Sequence, residues 1–335
     1  MQYRELGKSG IEASVVAFGA WAIGGWFWGG AEEKEAIAAI HAALDNGMNL
    51  LDTAPLYGMG HSEVVVGKAI KGRRDKVVLA SKCGLVWDSD GKGEFQLAAD
   101  EKTKRADGPI KIYRYLDPKS IRKEVEVSLK RLDTDYIDLY QTHWQEAITP
   151  VADVMGCLMD LKREGKIRAI GCSNATPAKM DEYRAAGQLD VDQELYSMLD
   201  RKHEGENLPY CAANKVAFLA YSPLSQGLLT GKIGPDRTFG DGDQRNIKPR
   251  FSVENRAKIM QMLATFAPFT EKYRCNLSQL VIAWTISQPG CSHVLAGARN
   301  PEQVLDNLPG GSIVLDPADN AAMRASIMQF AEGIV

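Results

Sequence analysis

The sequence predicts an α/β fold in which eight parallel strands, each followed by a helix, close into a barrel. Three observations predict it. Short apolar runs rich in Val, Ile and Leu alternate with segments of helical periodicity, the pattern of repeated βα units on a parallel sheet. Eight such runs end near Gly19, Asp52, Lys82, Gln141, Cys172, Leu195, Tyr221 and Gly297. No low-complexity linker separates any two of them, so residues 1–335 read as a single (β/α)8 TIM barrel domain rather than as two domains.

The elements follow in chain order. Tyr3-Arg4-Glu5-Leu6-Gly7 and Ile11-Glu12-Ala13-Ser14 flank a Lys8-Ser9-Gly10 turn, which predicts an N-terminal β-hairpin placed to cover the bottom of the barrel. Further along, Asp117-Pro118, Thr149-Pro150, Thr176-Pro177, Asn300-Pro301 and Asp316-Pro317 each put a capping side chain before a proline. Proline at the first helical position loses no hydrogen bond the helix needs, and the residue before it can satisfy the free N–H groups. These starts predict helices after strands three, four, five and eight, and an extra helix after the barrel.

Two connections are longer. Residues 83–116, including Trp87-Asp88-Ser89-Asp90-Gly91 and Lys102-Thr103-Lys104-Arg105, are polar and lack clean periodicity, as are residues 228–250 with Gly231, Gly234, Gly240 and Gly242. Loops beyond about 15 residues in a compact fold are usually functional. Both leave the end of the barrel at which active sites form.

Composition narrows the function. A net charge of -3, with cations scattered among acids, offers no face for a nucleic-acid backbone. The first residues lack the apolar stretch of a signal peptide and no apolar run is long enough to span a membrane, so a cytoplasmic location is expected. Cys83, Cys157, Cys172, Cys211, Cys275 and Cys291 lie far apart, which predicts reduced, mostly buried thiols rather than disulfides or a zinc site. His41, His61, His203 and His293 fall on expected helices or loops without ligand spacing, so no metal is expected and a metal-dependent barrel hydrolase finds little support. Nothing in the sequence fixes an oligomeric state.

Four polar residues stand at or near strand ends: Asp52, Tyr57, Lys82 and His143. A phenol with an ordinary pKa near ~10 is protonated at neutral pH but a poor acid. A nearby ammonium favours the phenolate, and lowering that pKa by about two units takes roughly 2.7 kcal/mol. Lys82 is placed to supply that field, with Asp52 to hold the ammonium. A neutral His143 imidazole could donate to the substrate carbonyl oxygen or assist the tyrosine's proton transfer.

The chain resembles the aldo-keto reductases, in particular the branch with bacterial sugar and stress-related reductases and potassium-channel β-subunits. The resemblance rests on Leu51-Asp52-Thr53-Ala54-Pro55-Leu56-Tyr57-Gly58, Leu79-Ala80-Ser81-Lys82, Tyr136-Ile137-Asp138-Leu139-Tyr140 with Thr142-His143-Trp144, Ile170-Gly171-Cys172-Ser173-Asn174, Ala220-Tyr221-Ser222-Pro223-Leu224 and Gly297-Ala298-Arg299-Asn300-Pro301-Glu302-Gln303. It implies Tyr57 as general acid, Asp52 and Lys82 as the residues that tune it, and His143 as the residue that orients substrate.

No Gly-rich dinucleotide fingerprint follows the first strand, where Ala17-Phe18-Gly19-Ala20-Trp21-Ala22-Ile23-Gly24-Gly25 has the wrong spacing. The resemblance implies instead an extended nicotinamide cofactor across the barrel mouth. Ser173, Asn174 and Gln193 would hold its carboxamide and Tyr221 would stack on its ring, with Trp21 and Asp52 also at this end. Ser222, Pro223, Leu224, Gln226 and Gly227 would run beside the pyrophosphate. Gly297, Arg299, Gln303, Asp306 and Asn307 would hold the adenosine end, with Arg299 on a ribose phosphate. A guanidinium suits a phosphate through its fork of donors, so NADP (NADPH) is expected over NAD.

Trp26, Trp28, Trp87 and Trp144 follow strands one, three and four, and three of them, Trp26, Trp87 and Trp144, are expected to wall the substrate pocket. The expected partner is a small-molecule carbonyl compound or sugar. The activity expected is NADP(H)-dependent reduction of an aldehyde, ketone or sugar carbonyl, or oxidation of the alcohol. The alternative is a redox-sensing or regulatory subunit that binds NADP(H) without turnover.

Overall fold

Strands covered on both faces are buried along nearly their whole length, and eight strands of this chain take that form. The computed structural model describes residues 1–28, 32–87, 89–98, 109–331 and 333–334. The hairpin strands β1 (Tyr3–Glu5) and β2 (Glu12–Ser14) come first. Then β3 (Val16–Gly19), β4 (Leu50–Asp52) and β5 (Val78–Cys83) alternate with α1 (Glu33–Asp45) and α2 (His61–Ile70). The strands β6 (Leu85–Val86), β7 (Glu94–Ala98) and β8 (Lys111–Arg114) precede α3 (Pro118–Leu132). After them come β9 (Ile137–Thr142), α4 (Val151–Arg163), β10 (Ile167–Ser173), α5 (Pro177–Ala186), β11 (Val191–Leu195), α6 (Asn207–Asn214) and β12 (Ala217–Tyr221). The chain ends with α7 (Val253–Ala264), α8 (Ala267–Lys272), α9 (Leu277–Ser287), β13 (Cys291–Gly297), α10 (Pro301–Asn307) and α11 (Pro317–Phe330).

Strands β3, β4, β5, β9, β10, β11, β12 and β13 pair in parallel in chain order, and β13 returns to β3 to close the barrel. This is the expected (β/α)8 fold, and every predicted strand end lies within one residue of the observed one. Inside the barrel Ala17, Leu50, Val78, Ala80, Leu139, Ala169, Val191, Ala217, Leu219 and Leu295 form a closed apolar cluster. A larger apolar shell packs the outer faces of the strands against the helices.

The hairpin forms as expected, antiparallel with Tyr3 opposite Ser14. Its buried Leu6 and Ile11 join the interior cluster and plug the lower end. Its turn fits because Gly7 has φ +64° and a Cβ there would fall 2.1 Å from the Asp190 carbonyl oxygen. Three of the five proline-led starts carry the expected cap: Asp117 Oδ1 accepts from the N–H groups of Lys119 and Ser120, Thr176 Oγ1 from Lys179 and Asn300 Oδ1 from Gln303. The other two differ. Pro150 is itself the cap position of α4, and the Glu146 carboxylate takes the N–H groups of Ile148 and Thr149. Asp316 turns its carboxylate to Lys272 at 2.6 Å instead of to its own helix.

The long connection after β5 is not the expected aperiodic loop: β6, β8 and β7 form a small antiparallel sheet in that order. Asp88 and Lys102–Arg105 lie outside the described residues. The connection after β12 forms short 3-10 turns at Ser225–Thr230, Gln244–Asn246 and Pro249–Phe251. His293 is on β13 and buried, not on a helix or loop. All six thiols are free, five of them buried.

Candidate active site

Side chains two apart on a strand face the same way, so each interior residue points to the one that should stand a layer above it. Two residues beyond Leu50, Ala80, Leu139, Val191 and Leu219 come Asp52, Lys82, Gln141, Gln193 and Tyr221. The barrel's upper interior layer is therefore polar. Lys82 is fully buried, and its Nζ lies 2.7 Å from both oxygens of Asp52, 3.0 Å from the Thr53 carbonyl and 3.3 Å from the Tyr57 hydroxyl. Gln193 Nε2 donates to Asp52 Oδ1 at 2.9 Å. The expected convergence of Asp52, Tyr57, Lys82 and His143 is present, with the Tyr57 and His143 rings edge to face at 5.8 Å.

The turn carrying Tyr57 is fixed by close backbone approach. A Cβ on Gly24 would fall 2.7 Å from the Tyr57 carbonyl carbon, so only glycine lets the segment after β3 lie against this turn. Ser62 donates to the Ala20 carbonyl at 3.0 Å and bonds Thr53 Oγ1 at 2.9 Å, tying the same segments together.

The electrostatics differ from expectation in one respect. Burial, and after it the Asp52 carboxylate, push the Tyr57 phenol well above its ordinary pKa rather than below it. The physical reason is that desolvation dominates and the Asp52 carboxylate adds to it, while Lys82 is held by that same carboxylate. Burial also lowers Lys82, against the opposing pull of Asp52. His143 is pushed well below its ordinary value by burial and then by the Lys82 charge, so it is neutral at physiological pH as expected.

Of the residues expected to hold the cofactor, Asp52, Gln193, Ser173, Asn174 and Tyr221 are linked by hydrogen bonds into one track. Ser173 Oγ donates to the Gln193 carbonyl at 2.7 Å, and Asn174 Nδ2 donates to the His143 carbonyl at 2.9 Å. Tyr221 donates to Asn174 Oδ1 at 3.0 Å, which sets the orientation of its ring. Asn174, Ser222, Ser225 and Gln226 all have positive φ between 46° and 56°, and Gly227 follows at 98°. Left-handed non-glycine residues cost of order 1–3 kcal/mol each and gather where backbone is shaped around a ligand. Pro223 and Leu224 lie inside this turn.

At the far end Arg299 is half-buried beside Arg245, and its guanidinium is lowered by burial and then by that neighbour. Gln303 Oε1 accepts from the Arg299 N–H at 2.8 Å, on the residue before the Asn300 cap. Asp306 is held by Lys232 at 2.7 Å and by Asn276 at 3.0 Å, and the buried Asn307 donates to the Gly297 carbonyl at 3.4 Å.

The indoles divide. Trp26, Trp87 and Trp144 share one apolar cluster with Leu56, Met59, Leu85 and Ile112. Trp28 stands apart from it, edge to face with Trp21 at 5.2 Å. Trp21 in turn lies 6.3 Å from the Tyr57 ring.

The sequence reading missed two contributors. Arg245 stacks its guanidinium on Phe239 at 4.3 Å and on Trp28 at 5.3 Å while paired to Asp243. Trp28 and Asp243 form a β-bridge, and Gln244 donates its N–H to the Phe27 carbonyl at 3.1 Å, so the two loops meet over the mouth. Gln145 donates to the Ser173 carbonyl at 3.0 Å and accepts from Tyr183, bracing the start of the track. Its position two residues after His143 was the available signal; Arg245 lies in a stretch with neither periodicity nor caps.

Comparison with known proteins places the chain in a family. A family described as the aldo/keto reductase family matches residues 15–327. An Escherichia coli NADH-specific methylglyoxal reductase is 42% identical over 95% of this chain and 96% of its own length. A probable voltage-gated potassium channel subunit beta of Arabidopsis thaliana is 30% identical over 94% of this chain and 92% of its own. The solved glycerol dehydrogenase of Gluconobacter oxydans superposes with a TM-score of 0.85 at 37% identity, covering 98% of this chain and 95% of that one.

Proposed function

The chain belongs to the aldo/keto reductase family, and from that premise we propose that it is a carbonyl reductase for small oxygenated aldehydes and ketones. The observation that carries this reading is the Asp52–Lys82–Tyr57 contact chain beside a neutral His143. Lys82 donates to the Tyr57 oxygen, which occupies a lone pair there and leaves the phenolic proton free to point at substrate. Because the phenol is raised, Tyr57 keeps that proton across the physiological range. As it gives the proton to the substrate oxygen, charge develops on the phenolate 3.3 Å from an ammonium. His143, neutral, can donate a second hydrogen bond to the same substrate oxygen.

A reduced nicotinamide cofactor, when bound, supplies the hydride. The residues present fit such a group. Ser173, Asn174 and Tyr221 form a braced polar shelf next to His143, and the left-handed turn at 222–227 leads from it toward Arg299. There Arg299 feels the charges of Arg245 and Arg237, with Asp243 as the acid paired to Arg245, a cationic excess suited to phosphate. We infer NADPH over NADH from Arg299; the E. coli relative is named for NADH, so both must be assayed.

The substrate class follows from the indoles. Trp26 and Trp28 carry buried indole N–H groups with no acceptor among the described residues, and a hydroxylated substrate supplies one. Relatives named for methylglyoxal and glycerol are consistent with a three-carbon oxygenated compound. The test is cofactor consumption with methylglyoxal, glyceraldehyde and an aryl aldehyde. Tyr57→Phe should lose about 10²–10⁴-fold in kcat with cofactor affinity retained; wild-type turnover by this variant ends the mechanism.

A further inference from the structure

A second cavity, of about 550 Å³, lies between α3 and the small sheet, outside the barrel mouth. Its wall includes none of Asp52, Tyr57, Lys82, His143, Trp26 or Trp144. The size falls in the range that takes drug-sized ligands. Pro55, Leu85, Val86 and Val127 line its apolar side, together with Trp87. Trp87 thus belongs to two places: one part of it packs with the pocket-wall indoles, and another borders this cavity with the Arg131 guanidinium 5.9 Å above its ring.

The polar lining is unbalanced toward cations. Lys119 and Lys123 on α3 and Lys92 before β7 form no ion pair among the described residues. The lining also carries three acids: Asp90, which forms no ion pair among the described residues, Asp117 and Glu124. Asp117 holds the first N–H groups of α3. Glu124 takes the Gly84 N–H at 2.9 Å and the Ser120 hydroxyl at 3.1 Å, and burial pushes it up to about 7. Lys92, Lys119, Lys123 and Arg131 face Asp90, Asp117 and a Glu124 that burial weakens, so a cationic excess surrounds an apolar wall with an indole in it, a chemistry that suits a flat apolar body carrying a negative group.

We propose that this cavity is a second small-molecule site, separate from the catalytic mouth, that takes an aromatic organic anion with its ring against Trp87 and Val127 and its charge on Lys119, Lys123 and Lys92. The site lies close to the reaction centre along the chain, since Pro55 is in the turn that carries Tyr57. Occupancy is thereby coupled to the substrate wall through Trp87.

The test uses anilinonaphthalene sulfonate, an aryl anion that fluoresces when desolvated, titrated into the full chain with and without saturating NADP. The expected result is one saturable site whose affinity is unchanged by NADP. Val127→Trp, which fills the cavity, and the paired charge reversal Lys119→Glu with Lys123→Glu should each weaken binding tenfold or more, with melting temperature as the check on folding. Displacement of the probe by NADP, absence of saturable binding, or wild-type affinity in both folded variants overturns the proposal.

Discussion

Replacing Lys82 with methionine leaves the Asp52 carboxylate buried without its cation. In the wild type both Asp52 oxygens lie 2.7 Å from Nζ and the pair is sealed from solvent, at 0% and 3% side-chain exposure. In the variant only the Gln193 amide remains on that carboxylate. Breaking a buried pair on one side costs about 3–5 kcal/mol. With an unfolding entropy of roughly 2.1 cal/mol/K per residue, a chain of 335 residues loses about 4–7 °C in Tm for that cost. The double variant Asp52→Asn with Lys82→Met has no stranded charge and should return to within about 2 kcal/mol of wild type. Asp52→Asn alone strands the ammonium, which can escape by losing its proton. Since an unpaired buried lysine has a folded pKa below its unfolded one, the penalty of Asp52→Asn should shrink as pH rises toward 10. The measurement is a thermal melt of all four proteins at pH 6 and 9. If the double variant is as unstable as the sum of the singles, the two residues are not energetically coupled and the description of the site is wrong.

Three further outcomes are expected. Gly24→Ala should lower kcat/KM by about tenfold or more while cofactor affinity is retained, because the new methyl displaces the Tyr57 backbone; unchanged kinetics would show that the close approach does not position the acid. Glu194 is pushed up to about 9 by burial and then by the Asp192 charge, so the folded state holds a proton that the unfolded state releases near 4.5. The contribution of this carboxyl to stability therefore falls as pH rises above the ordinary carboxylate range, and Glu194→Gln should gain on wild type in that direction, read as diverging Tm curves; parallel curves refute it. Arg299→Ala should raise KM for NADPH about tenfold and leave KM for NADH nearly unchanged, a loss of one charge-assisted phosphate contact; equal effects on both cofactors would place Arg299 elsewhere.

Much of the architecture was legible because parallel barrel strands are buried on both faces and so carry dense apolar signals. Val78–Cys83 and Ile137–Thr142 are buried at every position. Where burial is partial the signal fades: Glu94–Ala98 has no residue fully buried, and its strand went unseen. The cap at Thr149 failed because Glu146, three residues earlier, takes the free N–H groups, and the cap at Asp316 failed because Lys272, remote along the chain, takes its carboxylate. The direction of the Tyr57 shift was misjudged for a similar reason. Residue types announce an ammonium beside a phenol, but only geometry shows that a carboxylate already holds that ammonium at 2.7 Å. Arg245 escaped notice because its partner Trp28 is remote along the chain.

Closure of the barrel joins the two ends of the chain, with Val16 beside Val294 and Arg4 Nη1 reaching the Cys291 carbonyl at 3.1 Å. On the ribosome these partners are separated in time. At about 5–20 residues per second, the roughly 280 residues between them take about 15–60 s to synthesise. Throughout that interval β3 is an open edge, and Leu6 and Ile11 have no interior to fill. The nascent N-terminal segment is consequently the part of this protein most in need of a chaperone, and the last strand to emerge is the one that ends that need.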